Sequence, residues 1–238
     1  MTTFVLVHGA WHGGWCWQRL NNELAARGHH GIGMDLPIDD PTAGAAAYAD
    51  AAVAAFREVD EGGADVIVVG HSLGGTAVPM VARAIRARRM VFLTALMPTP
   101  GRSLAQLAAE SPESHTQAYL EYAKSIIVYP DGATNWNVPD AAEVFYHDCD
   151  AADAQQFARR FRRQYPMAFE EISPLTEWPD IPSSAVVATR DRVLSSSWLA
   201  AEFTRRTGDE AIEIPTGHSP MCAQPATVAD LFDTFARI

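Results

Sequence analysis

The sequence predicts an α/β protein: a six-stranded, mostly parallel sheet with helices on both faces and a helical insertion. Three observations carry this reading. Short apolar runs alternate with longer stretches of helical periodicity along most of the chain. One run, DVIVV at 65–69, is β-branched at four of its five positions, the composition of a strand buried on both faces. One long interval, 97–182, carries helical patterns but no convincing strand.

The elements follow in order. Residues 4–7 read as the first strand, ended by His8-Gly9. A helix over 15–27 places Trp17, Leu20 and Leu24 on one face and stops at Gly28. A strand over 31–36 is closed by Pro37, and an alanine-rich helix covers 43–59. The DVIVV strand leads to a helix over 74–87 and a strand over 90–95. The chain closes with a strand at 185–189, a helix at 198–206, a strand at 211–214 and a helix at 227–236. Right-handed crossovers between parallel strands put such helices on both faces.

The interval 97–182 is too long for a structureless loop in a compact domain. Helical patterns at 104–109, 115–125, 141–146 and 151–163 mark it as a helical cap inserted into a core made of 1–96 and 183–238. Ordinary continuation of the α/β layers is the alternative.

Composition narrows the function. Hydrophobic residues make up 48% of the 238, enough for a large core. A net charge of −11 repels phosphate and argues against nucleic acid. Three cysteines, Cys16, Cys149 and Cys222, cannot all pair and form no CxxC, which points to reduced thiols and a cytoplasmic setting. The first residues have no basic start and too short an apolar run for a signal peptide or membrane span. No HExxH, paired CxxC or phosphate-cradling glycine loop occurs, so neither metal nor cofactor is expected.

The chemistry centres on Gly70-His71-Ser72-Leu73-Gly74, which matches G-x-S-x-G between a strand and a helix. That turn is sharp, and the flanking glycines remove side chains that would collide where strand meets helix. A capping serine in a plain turn is the alternative. A serine hydroxyl needs a base and a carboxylate to orient that base. After such an elbow the acid precedes the histidine in the chain. His218, in the loop after the last strand, is the expected base, and Asp191, after the strand at 185–189, the expected acid. A surface pairing of Asp191 with Arg190 or Arg192 is its alternative. His115 and His147 read as surface or capping histidines. An oxyanion hole needs two backbone N–H groups, expected from Leu73 and Ala10. His8 and His12 are expected to pack or hydrogen-bond within their loop. Trp11, Leu104, Trp136, Phe145 and Met221, with Leu73, Leu107 and Phe169, are candidates for the substrate wall or for core.

These residues resemble the α/β-hydrolase superfamily, and more narrowly the plant methylesterase and hydroxynitrile lyase group with its bacterial esterase relatives. The carriers are FVLVHGAWHGGWCW (4–17), VIVVGHSLGG (66–75), LTALMP (93–98), VFYHDCDAADA (144–154) and the segments TRDR (189–192) and GHSPMCAQP (217–225). The resemblance implies the α/β-hydrolase fold with a helical cap and a triad of Ser72, Asp191 and His218, and it admits a homodimer. Lyases of this group resemble one another in G-E-S-C-G, a threonine after the first His-Gly and a lysine after the catalytic histidine. Here those places hold Gly-His-Ser-Leu-Gly, Ala10 and Ser219, so lyase activity is not expected. The expected partner is a small, apolar or aromatic ester. Cleavage of a lactone or carbon–carbon bond by the same triad stays open. So does a small-molecule receptor with little turnover.

Overall fold

A six-stranded parallel sheet forms the centre of the computed structural model, which describes residues 1–59 and 65–238. In chain order the strands are β1 (Thr2–Val7), β2 (His30–Gly33), β3 (Asp65–His71), β4 (Arg89–Leu93), β5 (Ile127–Val128), β6 (Thr134–Asn135), β7 (Ser183–Ala188) and β8 (Ile212–Ile214). The sheet order is β2-β1-β3-β4-β7-β8, and β5 and β6 form a separate antiparallel pair. Val5 stands opposite Ile32 on one side and Val68 on the other, and Val69 opposite Val91.

The helices are α1 (Gln18–Ala26), α2 (Ala45–Val59), α3 (Val78–Ala84), α4 (Leu104–Glu110), α5 (Gln117–Tyr122), α6 (Val138–Phe145), α7 (Ala151–Ala158), α8 (Met167–Glu170), α9 (Ser196–Thr207), α10 (Pro220–Ala223) and α11 (Pro225–Arg237). Helix α1 packs on α11, and α2 on α3. Val66–Val69 of β3 are buried, as a strand covered on both faces requires. Phe4 of β1 stacks on Phe232 of α11 with ring centres 5.3 Å apart. Local signals set the helix ends. Ser103 and Gln106 close a capping box on α4, and Gly208 (φ 82°) ends α9 in the left-handed region. No helix among the described residues is long and apolar enough to cross a membrane.

The expected sheet and its parallel connections are present, with local differences. The helix expected over 15–27 starts as a 3-10 turn, Gly14–Trp17, before α1. The strand expected over 31–36 stops at Gly33. The helix expected from Gly74 is a 3-10 turn, Ser72–Thr76, followed by the shorter α3. Its two glycines are pressed against other backbone: a Cβ on Gly74 would lie 2.4 Å from Val7 O, and one on Gly75 2.3 Å from Leu96 O. Finally, 97–182 holds the β5–β6 pair where no strand was expected. Each strand is two residues long, too short for period-2 alternation to register, but Asp131-Gly132 between them is a hairpin signal, with Gly132 at φ 86°.

The segment between β4 and β7 is tied to the loop after β1. Arg162 N–H donates to Trp11 C=O at 2.7 Å, and Trp11 Nε1–H to Thr134 Oγ1 at 3.1 Å.

Candidate active site

Ser72 sits directly after β3 with φ 51°, in the left-handed region that a residue with a Cβ rarely enters. Close packing imposes the turn. A Cβ on Gly70 would come within 2.4 Å of Val78 Cγ2 and 2.7 Å of Gly75 Cα. Ser72 C=O accepts the Leu96 N–H at 3.0 Å, fixing the serine against the end of β4. Its side chain is only half-buried, unlike those of its neighbours His71 and Leu73.

The loop after β1 reaches the serine at Gly9, where a Cβ would lie 2.8 Å from Ser72 Cβ. Two buried histidines hold this loop. His8 Nδ1–H donates to Gly9 C=O at 2.8 Å, and its Nε2 accepts the Leu36 N–H at 3.0 Å. His12 Nδ1–H donates to Ala10 C=O at 2.7 Å, and its Nε2 accepts the Tyr146 hydroxyl at 2.7 Å. Each ring therefore works as a neutral donor–acceptor. Burial lowers the pKa of His8 to about 4 and that of His12 to about 3, although their backbone bonds oppose the shift. Because a trans peptide points its C=O and N–H in opposite directions, the His8–Gly9 bond also fixes the direction of the Ala10 N–H. Trp11, at φ 60°, then turns the chain away.

His218 and Asp191 meet across the loops after β8 and β7. Nδ1–H of His218 donates to Asp191 Oδ2 at 2.8 Å, and both side chains are essentially unexposed. Asp191 Oδ1 accepts the N–H groups of Val193 (2.7 Å) and Leu194 (3.1 Å). Neither neighbouring arginine takes this carboxylate; Arg192 pairs with Glu143 instead. With Nδ1 donating, Nε2 of His218 carries the lone pair, and it is buried with no hydrogen-bond partner among the described residues. The imidazole lies beside the elbow: His71 Nε2–H donates to His218 C=O at 2.8 Å, with ring centres 4.9 Å apart. Burial keeps His71 neutral, its pKa well below the usual range.

An apolar cleft has Leu96, whose N–H binds Ser72 C=O, in its wall. Leu104, Leu107 and Phe169 line it, together with Met97, Ser114, His115 and Trp198, none of which stood among the expected wall residues. His115 was expected at the surface or as a cap. Instead it faces the cleft, stacked on Tyr119 with ring centres 4.9 Å apart, and burial lowers its pKa. Trp11, Trp136 and Phe145 form a buried aromatic cluster beside the histidine. Trp11 and Trp136 are 5.8 Å apart, Phe145 and His218 5.6 Å, and Trp11 reaches Phe169 at 6.4 Å. Met221 is wholly buried in the core. Leu73 and Ala10 are buried.

The comparisons with known proteins agree with this architecture. The chain is 28% identical over 252 residues to the carbendazim hydrolyzing esterase of Nocardioides sp. (strain SG-4G), with 97% of this chain and 98% of that protein covered. It is 25% identical over 260 residues to methylesterase 1 of Arabidopsis thaliana, covering 96% and 94%. A pyrethroid hydrolase from Sphingobium faniae JZ-2 superposes with a TM-score of 0.80 at 23% identity, over 99% of this chain and 97% of that one. The alpha/beta hydrolase family matches residues 4–231, nearly the full length, and the chain belongs to that family.

Proposed function

We propose that this protein is a serine hydrolase that cleaves a small, apolar or aromatic carboxylic ester through an acyl-enzyme. The observation that carries the reading is the buried Asp191–His218 pair, its acceptor nitrogen without a hydrogen-bond partner among the described residues, beside a serine held at φ 51°. The likeness to an esterase and a methylesterase along nearly the whole chain supports the same bond class.

In this reading Ser72 Oγ attacks the acyl carbonyl while His218 Nε2 takes its proton. Asp191 holds the imidazole in the Nδ1–H tautomer and stabilises the imidazolium. The oxyanion rests on the N–H groups of Ala10 and Leu73, donors of a kind whose single loss costs about 10²–10³ in rate. His218 then protonates the departing alcohol, and water releases the acid. The cleft wall of Leu104, Leu107 and Phe169 suits an apolar acyl or alcohol group. Residues 97–182, which supply part of that wall, act as the cap. Ser219 follows His218 where the resembling lyases carry a lysine, so that position supplies no cation for a leaving cyanide.

Turnover tests the reading. The wild-type protein should hydrolyse p-nitrophenyl acetate repeatedly, and Ser72→Ala should abolish this while keeping the fold. Tight binding of small esters without turnover would instead mark a receptor, and equal rates in the two proteins would refute the serine's role.

A further inference from the structure

Gly217, the residue before His218, gives its N–H to Asp148 Oδ2 at 2.6 Å. Asp148 stands in the connection between α6 and α7, 69 positions away in sequence, so this bond joins the 97–182 segment to the histidine loop. The fit is close. The other carboxylate oxygen, Oδ1, is buried with no hydrogen-bond partner among the described residues, and a Cβ on Gly217 would stand 2.5 Å from it. A side chain at 217 would crowd the carboxylate where it meets the amide.

His218 is held on its other side as well. Its C=O accepts both the His71 Nε2–H at 2.8 Å and the Thr94 hydroxyl at 3.2 Å. Thr94 is fully buried at φ 39°, a true outlier for a β-branched residue. Its own N–H is bound to Val186 C=O at 2.7 Å, which keeps that geometry. The backbone is thus restrained before and after the histidine, while Asp191 restrains its ring. Of these restraints Asp148 is the one that comes from the 97–182 segment. It is also a charge-assisted acceptor, stronger than a neutral one.

We propose that Asp148 is a positioning residue for His218, acting through the Gly217 amide, so that the 97–182 segment sets the aim of the catalytic base. The proposal rests on His218 being the base of a serine hydrolase. Asp148 touches no reacting atom; it limits how far the imidazole can swing from the serine. Misplacing a catalytic group by about 1 Å costs about 100-fold in rate.

The test compares full-length wild type, Asp148→Ala, Asp148→Asn and Gly217→Ala in p-nitrophenyl acetate turnover and in the rate of Ser72 labelling by a fluorophosphonate. Asp148→Ala should lower kcat about 10- to 100-fold with KM within about twofold, and labelling should slow in parallel. Asp148→Asn, which keeps an acceptor oxygen, should recover most of that loss. If Asp148→Ala does not fold, Gly217→Ala carries the test, since its methyl displaces the carboxylate from the same amide. Unchanged kcat in the folded variant, a loss confined to KM, or an asparagine as poor as alanine overturns the proposal while leaving the triad intact. A wild type that takes no label at Ser72 overturns the triad and the proposal together.

Discussion

His218 Nδ1 and Asp191 Oδ2 stand 2.8 Å apart with neither side chain open to solvent. The two amides on Asp191 Oδ1 fix which oxygen faces the ring, and that oxygen fixes which ring nitrogen carries the proton. Asp191→Asn should therefore fold, since its amide oxygen can still accept the Val193 and Leu194 N–H groups. Its NH2 then faces Nδ1 and drives the proton to Nε2, where the histidine can no longer act as base. Ester turnover should fall by about 10³–10⁴ at little change in Tm. A loss under about tenfold would show that this carboxylate does not set the tautomer.

Stability should fall on mild acidification. His8 has a pKa of about 4 and His12 about 3 in the folded chain, against 6.5 for an ordinary histidine. Below pH 6.5 the unfolded chain therefore binds protons that the native chain refuses, and stability rises with pH through that window. The contribution is complete above 6.5 and is lost as pH falls toward about 4 for His8 and about 3 for His12. For His8 alone the loss is on the order of 3 kcal/mol. Urea midpoints followed from about pH 7.5 to about pH 4.5 should drop, and His12→Gln should flatten the slope. A flat profile in the wild type would contradict neutral, buried rings.

The His8 side chain, by holding Gly9 C=O, orients the peptide whose other end is the Ala10 N–H. His8→Ala frees that peptide and leaves the Leu36 N–H buried without its acceptor. It should cost about 1–3 kcal/mol of stability and lower kcat about 10²-fold or more, with KM nearly unchanged. Stability loss with full kcat would mean that the Ala10 amide is held by other contacts.

The cleft wall should set acyl preference. Leu107→Trp narrows the apolar space beside Leu104 and Phe169, whereas Leu104→Ala enlarges it. The first should spare acetate and reject longer acyl esters. The second should shift kcat/KM toward longer chains by about 10-fold or more, the scale of one or two buried methylenes. A series of p-nitrophenyl esters checks this. Parallel changes across all chain lengths would place the acyl group elsewhere.

The parts of the site that sequence revealed are those with local signatures. The elbow shows as two glycines around a serine after a β-branched run, because close packing at Gly70 and Gly74 excludes any side chain. His218 and Asp191 show through their places after predicted strands. The restraints behind them did not show. His71, Thr94 and Asp148 reach the His218 loop across 147, 124 and 69 residues, and no pattern along the chain encodes such contacts. The segments LTALMP and VFYHDCDAADA contain Thr94 and Asp148, yet their sequence alone assigns those residues no task. The 3-10 turn at Ser72–Thr76 was likewise hidden, since backbone crowding rather than periodicity shortens α3. His115 was misplaced because a polar ring near a helix start reads the same whether it faces solvent or a cleft.

The most direct measurement is covalent capture of the nucleophile. Wild-type protein is treated with a fluorophosphonate, digested, and the labelled peptide sequenced by mass spectrometry. A single adduct on Ser72 is expected, absent in Ser72→Ala and slowed by about 10³-fold or more in His218→Ala. Label on another residue, or equal labelling in all three proteins, would contradict it.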